Sequence, residues 1–160
     1  MTTVTKKRIK QSGTGITAPY GNAWSQGYHF ETTSAGIFSD SDLTTAVQSA
    51  DVVRIGILPA GLELHDIVAI ISDAFTGSTT ASIGFAYIDG VDVTAVPQSA
   101  TYFASALATD STGVSRKTAV TAPIKLPKDA YLILTIGGAA HASAGILDVI
   151  VKGVWRGSPA

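Results

Sequence analysis

The chain has no cysteine and a single methionine among its 160 residues. Without thiols there is no disulfide framework, no thiolate metal site and no cysteine nucleophile, so stability has to come from packing and backbone hydrogen bonds. Charge is scarce as well: 14% of residues are Asp, Glu, Lys or Arg, while Ala, Thr, Ser and Gly abound. A surface so poor in charge suits a protein that lies against other protein, which points to an assembly. No apolar run approaches the roughly 20 residues that cross a bilayer, and the first residues lack the apolar centre of a signal peptide. Synthesis and use without secretion or membrane contact are expected. The Gly-x-Ser-x-Gly elbow, the phosphate-cradling glycine loop and His-Glu-x-x-His are all missing. No catalytic residue, cofactor site or metal site is expected, and no enzyme activity.

What remains is apolar and frequently punctuated. With 46% apolar residues, a chain of this length buries one core and makes one domain. Residues 51–71 read DVVRIGILPAGLELHDIVAII, two Val- and Ile-rich runs joined by Leu58-Pro59-Ala60-Gly61. Proline cannot donate to a sheet ladder and glycine tolerates a left-handed backbone, so the segment reads as strand, corner, strand. The run Ile67-Val68-Ala69-Ile70-Ile71 is apolar on both faces, which predicts a strand covered by protein on both sides.

Further strands are predicted at 28–33, at 81–88 with Ile83, Phe85 and Tyr87 on one face, from 114 to 126, at 130–136 and at 145–155. Gly84 is expected to mark a bulge or a close backbone approach. Asp40 or Asp42 is positioned to cap a short helical turn over 43–47, and residues 92–110 fit neither period. The corner at Leu58-Pro59 has an echo at Leu126-Pro127, as if one device were used twice. Short strands, frequent turns and no amphipathic helix predict an all-β fold: an antiparallel β-sandwich of the jelly-roll kind, spanning residues 27–160.

Residues 1–26 read as an extended N-terminal arm. The net charge of −1 hides an asymmetry, because Lys6, Lys7, Arg8 and Lys10 all precede the first acidic residue, Glu31. With the aromatics Tyr20 and Trp24 they form the candidate contact set: cations that steer toward an acidic partner, and rings that anchor. Four cations without a larger basic face argue against nucleic acid as that partner. Glu63 and His65 lie two apart on a predicted strand, the spacing of an acid-base or ligand pair but also of an ordinary solvated strand. Asp89 and Asp92 flank Gly90; two carboxylates fall short of the oxygens calcium requires and suit turn chemistry better.

The run RIGILPAGLELHDIVAIISDAFTGSTTASIGFAYIDG, with the late GILDVIVKGVW, resembles the small structural proteins of tailed-bacteriophage particles. The likeness covers residues 52–90 and 145–155. It implies a non-enzymatic capsid decoration, or cement, protein that binds the outside of the head and holds neighbouring capsomers together. Its implied partners are the major capsid protein and neighbouring copies of itself as a dimer or trimer, and its implied place is the exterior of the virion after assembly in the host cytoplasm. A tail, neck or fibre-associated component and a carbohydrate-binding jelly-roll module are the alternatives, since fold does not fix function.

Overall fold

The computed structural model describes residues 1–7 and 22–157, and these contain strands and no helix. Ten strands occur in chain order: β1 (Thr3–Thr5), β2 (Ala23–Thr32), β3 (Val52–Leu58), β4 (Leu62–Asp73), β5 (Thr79–Tyr87), β6 (Ser99–Ala108), β7 (Gly113–Arg116), β8 (Ile124–Lys125), β9 (Ala130–Gly138) and β10 (Gly145–Trp155). They form two sheets, ordered β1-β3-β9-β5-β6 and β2-β10-β4-β7, with β8 also paired to β4. Every pairing is antiparallel except β1 with β3. The pairs are nested: β2 with β10, β3 with β9, β4 with β7 and β8, β5 with β6. A long hairpin rolled so that successive layers fall in alternate sheets gives this wiring, which is the jelly roll.

Alternation decides which side chains go inside. In β5, Ala81, Ile83, Phe85 and Tyr87 are buried, and in β10, Leu147, Val149 and Val151. Between the sheets they meet Phe30, Leu58, Leu64, Ile67, Phe103, Leu126 and Leu132, all nearly or fully inaccessible. The two predicted corners do more than resemble each other. Gly61, at a φ of 84°, donates its N–H to the Leu126 carbonyl, and Leu126 donates back to Leu62, so the corners are stitched together. Gly84 lies so close to β6 that a Cβ there would sit 2.0 Å from the Ser99 carbonyl oxygen, and the β5–β6 register shifts on either side of Ile83.

Several expectations need correction. Residues 23–26 belong to β2 and Thr3–Thr5 to β1, so residues 1–26 are not simply an arm outside the sandwich. Residues 43–47 are not helical: the Ser41 hydroxyl donates to the Phe38 carbonyl and accepts from the Leu43 N–H, satisfying the chain as a local turn. The open stretch 92–110 contains β6. The strand expected from 114 to 126 splits into β7 and β8, because Thr118 and Ala119 leave β4 to donate to the Phe103 carbonyl of the other sheet. Finally, β4 is buried on one face only. Ile67, Ala69 and Ile71 point inward, while Val68 and Ile70 are half-buried on the outer face.

Candidate interaction surface

The residues singled out at the N-terminus separate into three groups. Lys6 and Lys7 sit at the edge of the β1-β3-β9-β5-β6 sheet, where β1 runs parallel to β3 with Val4 opposite Val53 and buried. The strand is pinned at its start by Asp51, whose two carboxylate oxygens accept from the Thr2 N–H at 2.8 Å and the Gln48 N–H at 2.9 Å. Beyond it, Lys6 Nζ lies 3.4 Å from Asp40 and donates to the His29 carbonyl, and Lys7 Nζ lies 3.4 Å from Asp42. Surface pairs of this kind contribute about 0–1 kcal/mol and leave the cations open to a better partner. Arg8, Lys10 and Tyr20 lie outside the described residues.

Trp24 is the exception to the expected set. It is only 4% exposed, pointing inward from β2 opposite Gly153 of β10, and its indole N–H is buried without a hydrogen-bond partner. The even spacing that places Tyr28 and Phe30 inside carries Trp24 in with them. An aromatic already held in the core cannot serve as an exposed anchor. Among the described residues, the exposed Phe, Tyr or Trp ring is that of Trp155, 37% exposed at the end of β10.

The outer face of the β2-β10-β4-β7 sheet carries features that the sequence did not single out. Its register sets Gly27, Ile150, Val68 and Arg116 in one row, and His29, Asp148, Ile70 and Val114 in the next. A half-buried aliphatic strip of Ile150, Val68 and Ile70 therefore lies on this face and ends at Val114, which is 70% exposed. Ion pairs flank it. His29 lies between Asp148 (2.7 Å) and Glu31 (3.4 Å), and Arg116 holds Asp66. Glu63 accepts from Arg156 at 2.9 Å and meets His65 Nε2 at 2.7 Å; the two partners, Arg156 foremost, keep its carboxyl below the usual range. The Glu63–His65 pair thus shares one face, as its spacing predicts, and is absorbed into a surface ion network. The signal for the strip was the alternation of β4 itself, masked because its outward positions are as apolar as its inward ones.

At one end of the sandwich, Asp89 and Asp92 spend their carboxylates on the turn. Asp89 accepts from the Val91 N–H and from Lys128 Nζ at 2.7 Å, a bond that holds its carboxyl below the usual range, and Asp92 accepts from the Gln98 N–H. Ile88 and Val91 are exposed beside them.

No family model and no curated protein matches this chain. Chains of three solved structures do, two of them over nearly their whole length. A chain of the structure described as the capsid of Ralstonia phage GP4 superposes with a TM-score of 0.66 at 14% identity, covering 98% of this chain and 99% of that one. A chain of the cyanophage Pam1 capsid asymmetric unit superposes with a TM-score of 0.53, also at 14% identity, covering 95% and 94%. At such identities the likeness establishes a shared fold.

Proposed function

We propose that this chain is a non-enzymatic structural protein of a bacteriophage virion, a head decoration or cement protein that binds the outer capsid surface and strengthens contacts between capsomers. The observation that carries this reading is the end-to-end match with the Ralstonia phage GP4 capsid chain: 98% of one chain and 99% of the other are covered, so a chain of about this size and the same fold occurs in a capsid structure with almost nothing added or missing. The low charge content, the stitched corners and the outer aliphatic strip ending at the exposed Val114 support it, since a lattice binder needs a stiff body with shallow contact surfaces. Its partners are then the major capsid protein and neighbouring copies of itself, as a dimer or trimer, and its place is the capsid exterior after assembly in the host cytoplasm.

Lys6, Lys7, Arg8, Lys10 and Tyr20 remain our proposed contact residues, with the cations steering toward an acidic capsid surface. Trp24 leaves that set because its ring lies inside the sandwich. Individually weak contacts suffice, because repeated sites on a shell raise the effective concentration of each further contact. Electron microscopy of particles made with and without this protein tests the proposal. Regular extra density over the head is the expected result; density confined to the tail, neck or fibres would reassign the protein to those parts.

A further inference from the structure

His141 is buried, and neither ring nitrogen has a hydrogen-bond partner or reaches solvent. A neutral imidazole carries one donor and one acceptor, so both are left unsatisfied; a protonated ring would carry two unsatisfied donors and a charge. Its neighbours are rings. Phe75 lies 4.8 Å away at 79° and Phe30 5.9 Å away at 86°, and Phe30 in turn packs on Phe38 and Phe75. This aromatic cluster closes the end of the sandwich at the β2–β3, β4–β5 and β9–β10 connections.

The backbone of His141 holds those connections together. Its N–H donates to the Val47 carbonyl at 2.9 Å, and Val47 donates to the Gly36 carbonyl at 3.0 Å. Gly36, at a φ of 74°, lies so close that a Cβ there would sit 2.1 Å from the His141 carbonyl oxygen. Directly after it, Ala142 donates to the Thr76 hydroxyl and the Thr32 hydroxyl donates to the Ser143 carbonyl. The charged groups on the surrounding elements are engaged elsewhere. Glu31 and Asp148 face His29 on the outer sheet face, and Asp40 and Asp42 take Lys6 and Lys7. Asp51 takes the Thr2 and Gln48 N–H groups, Asp110 takes the Ser78 N–H, and Asp73 is exposed at the end of β4. Two phenyl rings can offer a cation about 1–2 kcal/mol, less than the penalty for burying a charge without a hydrogen bond.

We propose that His141 is an acid-operated latch: neutral, it holds residues 33–47 and 139–143 closed over the Phe30, Phe38 and Phe75 cluster, and once protonated it moves to water and opens this end of the sandwich while the strands stay paired. Burial alone pushes the ring from 6.5 down to about 4. The closed form therefore binds fewer protons between those values, and closure is at full strength above the upper one and is progressively lost toward the lower one. The proposal does not depend on the capsid reading.

The test is a histidine-resolved NMR titration of the isolated protein, with amide exchange measured at Val47 and His141. The His141 ring is expected to stay neutral well below the ordinary range, and opening at those two amides, corrected for intrinsic exchange, to rise about 50-fold between pH 7 and pH 4.5. Amides of β9 and β10 should stay protected. In His141→Leu, which keeps an apolar side chain of similar bulk, the acid-dependent rise should vanish. Titration near 6.5 without change at Val47, or the same rise in the leucine variant, overturns the latch. Should the leucine variant not fold, the wild-type titration and its coincidence with opening at Val47 decide the matter.

Discussion

Ile67 and Ile70 stand three residues apart on β4 and face opposite worlds. Ile67 is fully buried between the sheets, whereas Ile70 is half-buried on the outer face, opposite Asp148 on β10 and Val114 on β7. From sequence the two are indistinguishable, because an unbroken apolar run gives no period with which to tell inside from outside. The energetic difference is large. A carboxylate at position 67 has no partner and no water, a penalty of several kcal/mol against a total stability of about 5–15 kcal/mol. At position 70 the same group reaches solvent and meets mainly the like charge of Asp148, worth about 1 kcal/mol or less across a strand pair. Ile67→Asp should therefore be insoluble or unfolded, while Ile70→Asp should be soluble with a far-ultraviolet circular dichroism spectrum like the parent's. Equal solubility of the two variants would contradict the assignment of faces. Trp24 teaches the converse lesson. It stands among residues that read as a polar tail, yet its even spacing from Tyr28 and Phe30 was present in the sequence all along.

Among the elements, those with clear alternation were legible: the strand predicted at 81–88 matches β5 except for Ile88, and 130–136 and 145–155 fall wholly within β9 and β10. Two others were hidden for physical reasons. In β6, Tyr102, Phe103 and Ala104 are buried in succession, because the strand bulges against β5 and Ala106 takes a φ of 49°, so no period of two survives in the sequence. In β1, three residues are too few to show a period, and the partner strand lies 49 residues away in the chain. Its contribution is nonetheless measurable. Deleting residues 1–7 removes Val4 from the core and the Thr2 N–H from Asp51, but β3 stays paired with β9. The shortened protein should fold and lose about 2–3 kcal/mol, mostly the burial of one valine side chain with its strand pairing. A shift in urea midpoint without a change in slope would show this, and an unchanged midpoint would mean that β1 contributes nothing to the body.

At the level of the whole molecule, the jelly roll was legible from short strands, turn spacing and the paired corners, while its closed end at His141 was not. A histidine in a Gly- and Ala-rich loop carries no mark of burial; that follows only from the arrival of Phe30, Phe38 and Phe75 from distant parts of the chain. The proposed contact surface was half legible. The basic cluster was visible as composition, but the outer aliphatic strip comes into being only when β10, β4 and β7 are set side by side. Both features would serve the proposed attachment, the cations by speeding encounter and the strip by slowing release. The most direct measurement is co-sedimentation of the purified protein with phage heads that lack it, at low and high salt. Saturable binding to the heads, weakened at high salt and reduced when Lys6, Lys7, Arg8 and Lys10 are all replaced by glutamine, is the predicted result. Protein that stays in the supernatant at both salt concentrations, while remaining folded, would contradict a role in decorating the capsid.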